Sequence, residues 1–293
     1  MFRRFIPNPQ AKEFQPSKKI LDIVETSRVD ASKLEEKTPL DPDIEFKLIR
    51  HNFNIIKPGE NVDENEVTRG TYGDDYIRGT DEADTIYGQN DSDIIYGGAG
   101  DDQLYGNTMS FGATNGRDTI YGGSGDDDII GSNRAYGQEG NDYLLAPREG
   151  AVYFDGGSSN DHLVGAQEQD TLIGGRGDDT LEGGLGSDTL TGGSGADTFI
   201  IGHRNEHNQR VPGVDFITDF RDAGDRIQFA TIGGDSISND DLNFFFDRAG
   251  NLVISVDTDR FSGLLAMVDG LNPYIDLWQQ VEQTSRNTLE VIA

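Results

Sequence analysis

Twelve copies of one nine-residue tile limit the fold of this chain more than any other property. Residues 174–200 read GGRGDDTLE, GGLGSDTLT and GGSGADTFI with no spacer. GTYGDDYIR, GTDEADTIY, GQNDSDIIY and GGAGDDQLY fill 70–105, and ATNGRDTIY and GGSGDDDII fill 113–130. GQEGNDYLL covers 137–145, and GGSSNDHLV and GAQEQDTLI cover 156–173. Every copy has Asp at its sixth position and Ile, Leu or Phe at its eighth. The first position is Gly except at Ala113, and the fourth is looser, with Glu82, Asp91, Ser159 and Glu168 in place of Gly. Nine residues are too few for a helical repeat, and the glycines exclude one continuous helix. The tile reads as a six-residue turn followed by a three-residue strand, a unit that buries almost nothing until copies stack. Two tiles make one coil, so each tile lies beside the next but one.

The acidity belongs to the tiles. Of a net charge of -29, about -20 falls on residues 70–200, which hold 25 acidic side chains and 5 arginines. Residues 1–69 are almost neutral, with 13 acidic and 12 basic side chains. A surface of that sign repels nucleic acid and anionic membranes and attracts cations. With 38 glycines and 34% hydrophobic residues the composition leans towards disorder, and only the repeat supplies a core. The lack of cysteine removes disulfides and thiolate chemistry together. No apolar run reaches the ~18 residues of a membrane span, and MFRRFIPNPQ has no apolar stretch behind its arginines, so neither a Sec nor a twin-arginine leader is expected there.

Each position in the tile has a physical role. The eighth-position residues point inward and form an apolar ladder between two parallel sheets, stacked at ~4.8 Å. Glycines let the turn take positive φ. The sixth-position aspartates of tiles two apart face each other, and like charges so close would cost on the order of 3–4 kcal/mol per pair at an effective dielectric near 20. A hard divalent cation held by carboxylates and carbonyls removes that cost, and calcium suits six to eight oxygen ligands. The candidate metal ligands are Asp75, Asp84, Asp93, Asp102, Asp118, Asp127, Asp142, Asp161, Asp170, Asp179, Asp188 and Asp197.

These tiles resemble the glycine- and aspartate-rich nonapeptides of RTX (haemolysin-type) calcium-binding proteins, tile by tile over 70–200, and GVDFITDFRDAGDRIQF at 213–229 is similar to the segment that follows such repeats. The resemblance implies an all-β protein, a right-handed parallel β-roll with several calcium ions in its turns. Carbonyls at the second and fourth positions would complete each site. It also implies export by a type I secretion apparatus and folding on meeting extracellular calcium.

The expected organisation is an N-terminal cap or docking segment over 1–69, the roll over 70–200, and a β-rich C-terminal cap over 201–293. Ile20, Leu21, Ile23 and Val24 suit one face of a short helix, and Ile44, Phe46, Leu48, Phe53 and Ile55 suit one or two strands. Beyond the roll, 242–246, 252–256 and 264–268 read as strands, with a turn at Ala249-Gly250-Asn251. Asn272-Pro273 reads as a helix start, with Tyr274, Trp278 and Val281 on one face. The last residues, 289–293, resemble the acidic-then-apolar tail of some type I secretion signals, or are a plain frayed end.

Reading 131–136 and 147–155 as half-coils without aspartate, and letting 106–112 loop out, gives a definite register. One side carries Asp84, Asp102, Asp127, Asp142, Asp161, Asp179 and Asp197 without a break. The other carries Asp75, Asp93 and Asp118, then a gap, then Asp170 and Asp188. Asp215, Asp219, Asp222 and Asp225 form either one more calcium site or an acidic loop. His203-Arg204-Asn205-Glu206-His207 fits a zinc pattern but precedes Val211-Pro212-Gly213, a poor helix context, and is read as a loop. The threonines at 171, 180, 189 and 198 are read as ordinary strand residues. The expected function is that of an exported, non-catalytic calcium-binding protein with a structural or surface role. The alternatives are an accessory module of a secreted protease, lipase or polysaccharide-modifying enzyme, and a surface-layer or adhesion component that self-associates.

Overall fold

In the computed structural model, the described residues are 53–57, 59, 67–107, 116–202, 213–220, 224–229, 241–257, 262–269, 281–285 and 288–292. β1 (Asn54–Ile56) and β2 (Val67–Arg69) begin two sheets just ahead of the first tile. β3 (Asp75–Arg78), β4 (Thr85–Gln89), β5 (Ile94–Ala99), β6 (Gln103–Asn107), β7 (Thr119–Ser124) and β8 (Asp128–Ile130) follow. Next come β9 (Arg134–Glu139), β10 (Tyr143–Leu145), β11 (Tyr153–Ser158) and β12 (His162–Val164). β13 (Thr171–Arg176), β14 (Thr180–Glu182), β15 (Thr189–Ser194) and β16 (Thr198–Ile201) complete the tiles. Odd-numbered strands form one parallel sheet and even-numbered strands the other, so β3 to β16 make seven coils of a parallel β-roll.

All twelve eighth-position residues, from Ile77 to Phe199, are fully buried at 0% exposure and form one continuous cluster. The half-coil register holds: β9 and β11 occupy the odd sheet, with Ala135 paired to Phe154, and both are fully buried. The small and the large side chain share the layer, so the core keeps its volume across the irregular coils. On the outer face of the odd sheet, Tyr96, Tyr121 and Tyr136 stack with ring centroids 4.6 and 4.8 Å apart, at the strand spacing.

Strands of the odd sheet are longer than the three residues expected. From β5 to β15 they run six residues, through the Gly-Gly pair, because successive turns superpose and pairing continues around the corner, as in Gly98↔Gly123 and Ala99↔Ser124. Past the tiles, β17 (Asp215–Ile217) and β18 (Arg226–Phe229) extend the two sheets in parallel. β19 (Leu242–Phe246), β20 (Leu252–Asp257) and β21 (Ser262–Val268) then add an antiparallel end to the odd sheet, where Asp247 accepts the amides of Ala249 and Asn251 in the expected turn. β22 (Val281–Ser285) and β23 (Thr288–Ile292) close the even sheet. Val281 therefore begins a strand and not a helical face, and 288–292 are paired to β18 and β22 and do not fray. Tyr274, Trp278, the apolar positions at 20–48 and the histidine motif at 203–207 lie outside the described residues. No helix among the described residues is long and apolar enough to cross a membrane.

Candidate metal ladder

Turns that lead from the odd to the even sheet form one edge of the roll, and turns that lead back form the other. The first edge contains residues 79–84, 97–102, 122–127, 137–142, 156–161, 174–179 and 192–197, all six residues long and all ending in Asp. We call it the regular edge. The opposite, interrupted edge carries an insertion that begins after Asn107, since Gly106 and Asn107 stay in β6 and do not loop out. It also carries the short turn 131–133 and the turn 146–152, whose Asp slots hold Asn133 and Val152. The two lines of aspartate follow the register read from the tiles, with Asp127 and Asp142 on the same edge.

The carboxylates are linked along each edge. The amide of Asp84 donates to Oδ1 of Asp102 at 2.8 Å, and the same bond recurs from Asp102 to Asp127, Asp127 to Asp142, Asp142 to Asp161, Asp161 to Asp179 and Asp179 to Asp197, at 2.8–3.0 Å. On the interrupted edge Asp75 donates to Asp93 and Asp93 to Asp118; past the gap, Val152 donates to Asp170 and Asp170 to Asp188. Oδ1 thus replaces a missing strand bond between coils.

Oδ2 has no such partner at Asp93, Asp102, Asp127, Asp142, Asp161, Asp179 and Asp188, although all seven side chains are buried. Each of these oxygens lies over the first-position glycine of its own tile. A Cβ on Gly97 would overlap Oδ2 of Asp102 and lie 2.6 Å from the carbonyl oxygen of Gly122 in the next coil. Gly122 and Gly137 repeat this cradle with Asp127 and Asp142. Burial pushes these carboxyl groups up from the usual range, Asp102, Asp142 and Asp179 to about 7, Asp127 and Asp161 to about 8, and Asp93 to about 9. Burial also raises Asp75, Asp170, Asp188 and Asp197, while in Asp118 it does so to about 7.

Of the aspartates beyond the tiles, Asp215 and Asp225 lie on opposite edges of the roll. Asp215 continues the interrupted edge, accepting the amide of Asp188 at 3.2 Å, and Asp225 continues the regular edge, accepting the amide of Asp197 at 3.0 Å. Asp219 instead accepts the amides of Gly192 and Gly193, and Asp222 lies outside the described residues. The first glycine that tile 113–121 lacks is supplied by Gly106, whose cradle holds Oδ2 of Asp118, so the insertion falls inside the turn.

A second ladder was missed in the sequence. Fifth-position oxygens of Asp101, Asp126, Asn141, Asn160 and Asp178 accept amides from the neighbouring turn of the regular edge at 2.7–3.1 Å. The recurrence of Asp or Asn there was the available signal.

Among the described residues no three histidine or acidic side chains converge on one point. A cation in these turns would therefore be held mainly by one carboxylate oxygen and backbone carbonyls, a donor set of hard oxygens that fits calcium. The model for the RTX calcium-binding nonapeptide repeat (4 copies) matches residues 69–104, 113–133, 130–146, 148–172 and 165–199. Residues 69–199 are RTX calcium-binding nonapeptide repeats. The matched stretches include both aspartate-free half-coils, which are degenerate RTX repeats and not foreign insertions. No curated protein matches the chain.

Proposed function

We propose that this is an exported calcium-binding protein whose RTX roll folds when it meets extracellular calcium and whose role is structural and not catalytic. The seven buried carboxylate oxygens without a partner carry this reading. Each unsatisfied buried acceptor costs about 1–3 kcal/mol, and more when charged. Seven of them together match the roughly 5–15 kcal/mol by which a whole domain is stable. Without a counter-ion the ionised roll has no margin to fold.

The residues that would hold the ion are the sixth-position aspartates, through Oδ2, with the first-position carbonyl of the following coil. Bound calcium supplies the positive charge that allows these carboxylates to stay ionised away from water. Sites of the extracellular class bind at roughly 10⁻⁴–10⁻³ M, so they stay empty in a cytosol and fill outside. An unfolded chain suits passage through a type I apparatus, which the repeat family supports.

The test is circular dichroism of the full chain during a calcium titration. A cooperative rise of β signal is expected, reversed by chelator; an unchanged spectrum sinks the folding switch. Fractionation of culture medium against cells tests export independently.

A further inference from the structure

The twelve aspartates are not equivalent, and the backbone shows what divides them. In three tiles Oδ2 is satisfied by the amide of the tile's own second residue, and at Asp118 it accepts instead from the side chain of Asn107 at 2.7 Å. The amide of Thr71 donates to Asp75, that of Thr80 to Asp84 at 2.6 Å, and that of Ala166 to Asp170 at 2.8 Å. The Thr80 hydroxyl adds a bond to Oδ2 of Asp84 at 2.9 Å. All seven unpartnered oxygens belong to tiles whose second residue has positive φ: Gln89, Gly98, Gly123, Gln138, Gly157, Gly175 and Gly184. Thr71, Thr80 and Ala166 do not adopt it.

The fourth residue divides the tiles in the same way, with positive φ at Asp91, Gly100, Gly125, Gly140, Ser159, Gly177 and Gly186 in the bare turns and not at Gly73, Glu82 or Glu168. Its identity does not decide this, since Asp91 and Ser159 reach positive φ without being glycine and Gly73 is glycine and does not. It therefore follows the second residue, whose amide makes or breaks the bond to Oδ2. A β-branched threonine disfavours the left-handed region strongly, while glycine enters it freely and Gln89 is held there by a bond from Nε2 to the Gly70 carbonyl at 2.8 Å. With the second residue left-handed, its amide turns away from the carboxylate and Oδ2 is left bare in the cradle. With it extended or helical, the amide donates to Oδ2 and the turn satisfies itself.

We infer that the second residue of each tile sets whether its turn takes a calcium ion, so that the turns of Asp75, Asp84 and Asp170 are closed without one. The inference rests on the calcium reading above. The three turns closed by an amide are not scattered: each opens one of the three runs of aspartate, Asp84 on the regular edge and Asp75 and Asp170 on the two halves of the interrupted edge. The cradle itself is intact at Gly79, where a Cβ would meet Oδ2 of Asp84 at 2.7 Å and overlap the Gly97 carbonyl, so only the two bonds from Thr80 stand in the way of an ion.

The experiment counts calcium bound to the full chain, by native mass spectrometry and by equilibrium dialysis at saturating calcium. Thr80→Gly is expected to bind one ion more than the parent, and Gln138→Thr one ion fewer. Dichroism in calcium establishes that each variant is folded; should Gln138→Thr fail to fold, Thr80→Gly decides alone. A folded Thr80→Gly protein with the parent's count overturns the inference. A parent that binds no calcium fails the underlying reading instead, and the two failures are distinct.

Discussion

The two edges of the roll are built from the same tile and have diverged in opposite ways. On the regular edge seven consecutive turns have six residues, every one ends in Asp, and strand pairing continues around the corner through the Gly-Gly pair. Both ladders run there, the sixth-position carboxylates and the fifth-position Asp and Asn side chains. The interrupted edge holds the insertion after Asn107 and the two turns without aspartate, and its fifth-position bonds are reduced to a two-step run, Ser92 to Asp74 and Arg117 to Ser92, and a separate step from Val214 to Ser187. A solenoid whose inward residues are unbroken needs only one edge to keep strict register. The other edge can then vary in length, because an added loop costs little closure entropy.

The largest effect expected from this difference comes from insertions. Four Gly/Ser residues added after Arg148, an exposed position in the 146–152 turn, should lower stability in calcium by less than about 1 kcal/mol. The same insertion after Gly177 breaks both ladders and should prevent cooperative folding. Thermal melts of the two proteins in saturating calcium check this; equal losses would abolish the distinction between the edges.

Substitution of single carboxylates should separate ion binding from stability. Asp142→Asn removes charge from a bare oxygen and should raise the calcium midpoint several-fold. Asp170→Asn sets an amide against the Ala166 amide, so it should lower the melting temperature in saturating calcium while leaving the ion count unchanged. Calcium titrations of both variants, with the count measured alongside, give the comparison directly.

Acid should act through both edges, since burial raises Asp93 and Asp118 on the interrupted edge as it does the carboxylates of the regular one. In the folded, metal-free roll Asp102, Asp127, Asp142, Asp161 and Asp179 keep their protons to about pH 7–8, while in the unfolded chain they lose them near pH 4. The folded state binds more protons in that window, so metal-free stability falls as pH rises through it and is greatest at its acid end. In chelator, the β signal at pH 5 should exceed that at pH 8. A flat profile would mean that these carboxylates are not buried as described.

The smallest effect is expected from Asp126→Ala. It removes bonds to the amide and side chain of Asn141 at 2.7 and 3.0 Å on an exposed turn, worth about 1 kcal/mol by chemical denaturation. A null result would leave the sixth-position ladder as the sole reason for the regularity of that edge.

The fold was legible because it depends on two columns that any reading of the tiles exposes, the aspartates and the large apolar residues two positions on. Asp215-Phe216-Ile217 and Asp225-Arg226-Ile227 keep the same spacing outside any full tile, and they prove to be two further half-coils. The role of the second position was not legible. Thr, Gln, Ala and Gly there look like ordinary turn variation, and their consequence is a peptide orientation that only coordinates reveal. The same holds for Gly106, separated from its aspartate by an insertion that hides the partnership until Oδ2 of Asp118 is seen above it.

The sixth-position amide-to-carboxylate bond has a fixed direction, since each coil donates to the one that follows it, while the fifth-position bonds run the opposite way. In polymer terms the roll has unlike ends. A fragment ending at Ile200 leaves the amides of Asp188 and Asp197 without acceptors, because Asp215 and Asp225 provide them. The opposite end needs nothing of the kind, since the Asn54 amide group already donates to Oδ1 of Asp75 at 2.9 Å. Lengthening or shortening the array is therefore least disruptive in whole coils taken from its interior, with both ends kept as they are.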